Sequence, residues 1–229
     1  MAAVGVFLGT FNPMHAGHVK AAHTLLAERG LDILYVHCTV VPRADRDALA
    51  SGEIRVSGYN EGRIVYETTA AANPAKNYFR TGREFYSYET RLELARIALK
   101  ESGADPRIVL LDQKDLYLAD GFAGIIAHVR AMHPGATLHG VHGDDVGGLL
   151  VRSIYEKCCV EPLQICRADG ISATHIRDGA IGMTTAGVDA LVLLMRVGAT
   201  AFHVGGRHYR FDGYRLIQGV GGARMVANF

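Results

Sequence analysis

The chain has 229 residues, 49% hydrophobic and 21% charged, enough to bury a substantial core in one elaborated domain. Its 24 lysines and arginines nearly balance 23 aspartates and glutamates, so no nucleic acid or anionic membrane is expected as a partner, and any anion must be bound locally. The N-terminus carries no basic stretch leading into a long apolar segment, and the four cysteines (Cys38, Cys158, Cys159, Cys166) lack metal-ligand spacing, so a cytoplasmic protein with reduced thiols is expected.

The first apolar run, Val4–Leu8, predicts a strand that ends on the loop "GTFNPMHAGH", with helical periodicity over Gly17–Arg29 after it. A second strand is expected at Ile33–Val36. Between Pro42 and Tyr86 the rhythm breaks: Ile54–Ser57 and Arg63–Thr68 flank "GYNEG", the pattern of a small hairpin inserted at about 43–86. Helical patterns then span Tyr88–Glu101, Leu116–Met132 and Asp145–Lys157, alternating with strands at Ile108–Leu111, Thr137–Val141 and Leu163–Ile165. This alternation implies an α/β fold: a Rossmann-like, doubly wound parallel sheet of about five strands, helices on both faces, and small β-hairpin elaborations. After Arg196 the chain turns aromatic and glycine-rich, so residues 1–196 read as the main domain and 197–229 as a hairpin-like extension packed on it. A hairpin is marginal alone and its edge invites pairing, which makes a homo-oligomer compatible with the chain.

Open α/β sheets bind ligands beyond the carboxyl ends of their strands, which is where the first loop lies. Gly9 would let the amides of Thr10 and Phe11 approach a phosphate, the helix N-terminus would add partial positive charge, and His15 and His18 would add directional donors. That is a triphosphate cradle without a Walker lysine; helix-capping histidines are the structural alternative. His139 and His142 have a spacing that could pair on a metal, but no third ligand stands near them in sequence, so no zinc is expected. Lys20 reads as a solvated helix residue.

"GTFNPMHAGH" resembles the signature of the HxGH nucleotidylyltransferases, and its Phe-Asn-Pro form is most similar to nicotinate or nicotinamide mononucleotide adenylyltransferase. A second element, "GISATHIR", is similar to the family's Ile-Ser-Ser-Thr-x-x-Arg, with Ala173 where serine is common. Ser172 suits an N-cap, Thr174 the first turn, and Arg177 lies one turn on, within reach of an anion. Gly143 and Asp145 in "HGDD" resemble the family's Gly-x-Asp at the ATP ribose, with Asp144 as the alternative acid. Arg91 in "SYETRLELARIAL" occupies the place of a family helix arginine and could equally be solvated, while "VVP" marks where the substrate loop leaves the sheet.

The resemblance implies adenylyl transfer from ATP, bound with Mg²⁺, to a small phosphorylated acceptor, by direct attack and without a protein metal cage. It puts Gly9, Thr10, Phe11, His15, His18, Gly143, Asp145, Ser172, Thr174 and Arg177 at ATP, with His18, His15 and Arg177 carrying the chemistry. Asn12, Arg91 and Tyr86 fall to the acceptor. The family's usual ring-binding tryptophan has no counterpart, since the chain contains none; Tyr155 or an aromatic of Tyr78, Phe79, Phe85, Tyr86 and Tyr88 would replace it. A cytidylyltransferase or other HxGH nucleotidylyltransferase with a different phosphate acceptor, and a non-catalytic nucleotide sensor, are the competing readings.

Overall fold

Alternation of short apolar runs with amphipathic segments yields a five-stranded parallel sheet whose topology opens a crevice at the carboxyl ends of its central strands. The computed structural model describes residues 2–41, 43–79, 82–144, 146–165 and 171–219. In chain order the elements are β1 (Ala3–Gly9), α1 (Ala16–Glu28), β2 (Ile33–Cys38), α2 (Arg43–Ala50), β3 (Ile54–Asn60), β4 (Arg63–Thr68), β5 (Glu84–Tyr86), α3 (Tyr88–Glu101), β6 (Ile108–Leu111) and α4 (Lys114–Met132). They continue as β7 (Thr137–Gly143), α5 (Val146–Lys157), β8 (Glu161–Ile165), α6 (Ala173–Arg177), α7 (Ala186–Arg196), β9 (Ala201–Val204), β10 (Arg207–Phe211) and β11 (Leu216–Gln218).

The central order is β6-β2-β1-β7-β8, and every pairing in it is parallel. The chain winds from β1 outward through β2 to β6, then returns to β7 on the other side of β1. The switch point therefore lies between β1 and β7, and the crevice at their carboxyl ends is the expected ligand site. Strands β1 and β2 are both enclosed, with Val4, Val6, Leu34 and Cys38 fully buried, as central strands covered on both faces should be. Opposite it, α1 turns Val19, Ala22, Leu25 and Leu26 inward.

One glycine in the sheet has a steric reason. A side chain at Gly140 would run into the Tyr155 ring, which lies flat on β7, and the Tyr155 hydroxyl donates to the Val6 carbonyl at 3.2 Å. Tyr155 is thus a core residue and does not replace a ring-binding tryptophan.

Two elaborations are larger than the expected hairpins. The insertion is a three-stranded antiparallel sheet, β3-β4-β5, preceded by α2. Strand β3 runs on to Asn60, so the turn is Glu61–Gly62 rather than the whole of "GYNEG", and a bulge between Val56 and Gly58 absorbs the irregular register. Strand β5 has only three residues, too short to show alternation in sequence. The C-terminal extension also forms three strands, β11-β10-β9, and docks on α3: the Leu216 amide donates to Thr90 Oγ1 at 3.0 Å, and Tyr209 donates to Glu93 at 3.3 Å. Both outer faces of α3 are consequently covered, which explains why Thr90, Arg91 and Glu93 are buried. Cys38, Cys158 and Cys159 are free thiols, and Cys166 lies outside the described residues. Among the described residues no helix is long and apolar enough to cross a membrane.

Candidate active site

The loop leaving β1 is shaped by its own aromatic residue. Phe11 adopts φ +43°, an unfavourable region for a bulky side chain, and its ring turns back into the core between Phe7 (5.2 Å between centroids) and His18 (4.9 Å, edge-on). A Cβ at Gly9 would meet that ring at 2.7 Å, so Gly9 is required by the fold of the loop itself. The Phe11 side chain is buried, leaving its backbone as the part that can face a ligand.

His15 is the N-cap of α1, and its backbone N–H donates to His18 Nδ1 at 3.3 Å. With Nδ1 acting as acceptor, the neutral His18 ring carries its proton on Nε2. The two imidazoles stack at 3.7 Å, inclined by 28°. The capping alternative and the phosphate role are therefore compatible: one nitrogen of His18 serves the helix while the other presents an N–H. Lys20, farther along the helix, is exposed.

The second motif is brought onto this loop. Ser172 caps α6, its hydroxyl accepting from the Thr174 amide at 3.2 Å. Arg177 donates through Nη1 to the Asn12 carbonyl at 2.7 Å and through Nη2 to Thr174 Oγ1 at 3.1 Å. The following segment adds two ties, from the Ala16 amide to the Met183 carbonyl (3.0 Å) and from Thr184 Oγ1 to the Met14 carbonyl (3.1 Å). Desolvation and the nearby Arg63 lower the Arg177 pKa, the signature of a cation held where a counter-anion would be welcome.

Asn12 and Arg91 both bind backbone around the loop, and Arg91 also lines the cleft beside it. The Asn12 side chain donates to the Glu84 carbonyl (2.9 Å) and accepts from the Tyr86 amide (3.0 Å), which spends it on pinning β5 to the loop. Arg91 is buried, not solvated; its Nη1 donates to the Thr10 carbonyl (2.6 Å) and its Nε to the Tyr86 carbonyl (3.0 Å). Tyr86 lines the cleft, and its buried hydroxyl lies in the field of Arg63, Arg177 and Glu61. Sequence reasoning missed Arg63, which donates to the Arg177 carbonyl (3.1 Å), pairs with Glu84 (2.8 Å) and approaches Glu61 (3.4 Å). Arg63 ties the insertion to α6, and no local pattern announces it.

On the β7 side, Gly143 ends the strand beyond β1. His142 Nδ1 donates to the Gly143 carbonyl at 2.8 Å, whereas His139 Nδ1 faces Glu161 at 3.3 Å. Three residues apart on a strand, the two rings point to opposite faces, so they do not form a metal pair. Among the described residues no cluster of three His, Cys, Asp or Glu could hold a metal. Asp144 is exposed, and Asp145 lies outside the described residues.

On the other side of β1, above β2 and β6, a cleft opens between Thr10 and Thr39 at the sheet and Lys114 at the start of α4. Ile54, Ile64, Tyr66, Phe85 and Phe79 of the insertion form one wall, with Tyr86 and Tyr88 alongside. Tyr78 instead hydrogen-bonds Glu53 at 2.5 Å. Tyr214, from the loop between β10 and β11, closes the mouth against Tyr59 of β3 at 5.7 Å. Below, Tyr88 donates to Asp112 (3.1 Å) and stands 3.5 Å from His37 Nε2, and His37 stacks on Tyr117. Burial pushes the His37 imidazole down to about 4, outweighing the Gln113 backbone and Asp112.

No protein-family model matches the chain, and no curated protein matches it significantly. Solved structures do. A protein assigned as a nicotinate-nucleotide adenylyltransferase from Vibrio parahaemolyticus aligns with a TM-score of 0.52 and 15% identity, over 84% of this chain and 99% of that one. The two chains share a fold. Plasmodium falciparum nicotinic acid mononucleotide adenylyltransferase complexed with NaAD aligns at 0.47 and 11% identity, over 87% of this chain and 97% of its own. Thermotoga maritima TmcAL bound with alpha-thio ATP aligns at 0.46 and 12% identity, over 86% of this chain and 56% of that chain.

Proposed function

We propose that the protein transfers the adenylyl group of ATP to the 5′-phosphate of a pyridine mononucleotide, nicotinamide or nicotinate, releasing pyrophosphate. The observation that carries this reading is the hydrogen bond from Arg177 to the Asn12 carbonyl, which joins two phosphate-type motifs 165 residues apart at the carboxyl end of β1. An aromatic cleft for an acceptor opens directly beside them. The likeness in fold to the Vibrio protein supports the same assignment.

An oxygen of the acceptor phosphate would form a bond to the α-phosphorus as the bond from that phosphorus to the bridging oxygen breaks, and pyrophosphate leaves with the electron pair. A phosphate monoester is already anionic at neutral pH, so no general base is needed and catalysis rests on positioning and charge stabilisation. In this reading the Nε2–H of His18 and the amides near Thr10 and Phe11 meet the α-phosphate. His15, Ser172, Thr174 and Arg177 hold the leaving pyrophosphate, while Gly143 and Asp145 take the ribose. Arg91 and Asn12 serve by fixing the loop before substrate arrives, which lowers the reorganisation left for the reaction. The imidazoles, hydroxyls and guanidinium of the loop suit phosphate rather than a hard cation. Magnesium, when bound with ATP, would therefore be held by phosphate oxygens and water and would supply charge neutralisation there.

The test is pyrophosphate release with magnesium and ATP or CTP against nicotinamide mononucleotide, nicotinate mononucleotide, phosphopantetheine and glycerol 3-phosphate, with the product confirmed by mass. Turnover with ATP and a pyridine mononucleotide is expected. Turnover only with CTP or another acceptor would refute it in favour of another transferase, and ATP binding without turnover would point to a sensor.

A further inference from the structure

The strand order gives the acceptor cleft two ends. Thr10 leaves β1, next to the phosphate motifs; Lys114 opens α4 after β6, two strands away across β2. An acceptor whose phosphate reaches the loop at Thr10 therefore extends its ring toward Lys114, Glu89, Tyr88 and Tyr214. At that end the walls are aromatic, and Lys114 Nζ stands 5.8 Å from the centre of the Tyr88 ring. A flat, cationic pyridinium suits such walls through both stacking and the ring quadrupole.

The polar groups at the same end are arranged as a pair. Lys114 Nζ donates to Glu89 Oε1 at 2.5 Å, and each side chain is 40% exposed. A lysine ammonium has three donors and a carboxylate about four acceptor sites, so each partner retains capacity for a second group. The pair together is neutral, with a donor on one side and an acceptor on the other. Burial alone would raise the Glu89 pKa, but the bonds from Lys114 and the backbone hold it below the ordinary carboxylate value, so the acceptor side is ionised at neutral pH.

A carboxamide matches this pair atom for atom: its carbonyl accepts from Lys114 and its N–H donates to Glu89. A carboxylate can use only Lys114, must compete for it with Glu89, and brings two anions within a few ångströms, a like-charge contact that is unfavourable in a partly desolvated cleft. Building on the adenylyl-transfer reading, we infer that the Glu89–Lys114 pair makes this protein select an acceptor ring bearing a carboxamide over one bearing a carboxylate. Glu89 is then a specificity-determining residue that takes no part in the chemical step.

The decisive experiment measures kcat/KM for nicotinamide mononucleotide and nicotinate mononucleotide with ATP and magnesium, using the full chain and its Glu89→Gln variant. The wild type is expected to favour the amide about tenfold, and Glu89→Gln to bring the two substrates to within about threefold by removing the repulsion. A melting curve of the variant distinguishes lost folding from altered choice; should it not fold, the wild-type ratio alone decides. Equal or better use of the nicotinate form by the wild type, or a ratio unmoved in a folded Glu89→Gln variant, overturns the inference while leaving adenylyl transfer standing. Turnover with neither substrate overturns both.

Discussion

In the proposed reading the nucleotide side of the site comes from two short contiguous motifs, Gly9–His18 and Ser172–Arg177, whereas the cleft proposed for the acceptor is assembled largely from single residues scattered between Thr39 and Tyr214. The first is a matter of backbone conformation and capping, so its residues must be close in sequence: the Phe11 twist, the His15–His18 contact and the Ser172 cap each span only a few positions. The second is a matter of enclosure, and any segment that brings an aromatic side chain to the rim will do. The chain uses its two additions to the Rossmann core, β3-β4-β5 and β9-β10-β11, which meet at Tyr59 and Tyr214. In the proposed reading, phosphate recognition would rest on the local geometry of a strand-to-helix turn, and substrate choice on the attached sheets.

If the comparison holds, damage to the nucleotide side should strike turnover hardest. His18→Ala is expected to lower kcat about 10²- to 10³-fold, with the ATP dissociation constant moving only about threefold; near-normal turnover in single-turnover kinetics would detach His18 from the reacting phosphate. Next in size is an acid effect under the acceptor cleft. His37 titrates near 4 in the folded protein against an ordinary 6.5, so between those values the unfolded chain binds the extra proton. Its contribution to stability is whole above about pH 6.5 and is lost as the pH falls, by on the order of 3 kcal/mol at pH 4. Urea midpoints at pH 7 and 4.5 should therefore diverge in the wild type and converge in His37→Gln.

Arg63 joins the two halves, and its removal tests whether they are coupled. Arg63→Met should cost about 2 kcal/mol of stability, less than a fully buried pair because Glu84 and Glu61 remain partly solvated. Turnover should fall as well, since the Arg177 carbonyl loses its donor. A stable variant with unchanged kcat would mean that the insertion docks independently of α6. The smallest effect belongs to the rim: Tyr214→Ala should raise the acceptor KM about tenfold and leave the ATP KM alone, and a change in both would blur the division between the halves.

The parallel α/β class, the two motifs and the positions of most helices could be read from the chain because each rests on local period, turn chemistry or spacing, whereas the order of the strands came from the structure. Helix α3 illustrates where that stops. Its sequence suggests one buried face, and Arg91 on the remainder reads as a solvated residue or a ligand contact. Only the docking of β11 through Leu216 to Thr90, and of β5 through Tyr86 to Arg91, covers the outer faces and turns Arg91 into an internal brace. Asn12 is similar: as part of a motif it invites a ligand role, yet β5, more than seventy residues on, takes up its amide. Tyr155 looked available as a ring partner until Gly140 made room for it inside the sheet.

What the sequence by itself determined is the parallel α/β sheet and the glycine- and histidine-bearing loop at the carboxyl end of its first strand, because hydrophobic period, glycine placement and helix capping act over a handful of neighbouring residues. The tertiary structure alone decided which polar side chains hold the loop and which aromatics line the cleft beside it. Those outcomes depend on contacts between segments up to 170 residues apart, and the burial that sets them is a property of the packed whole.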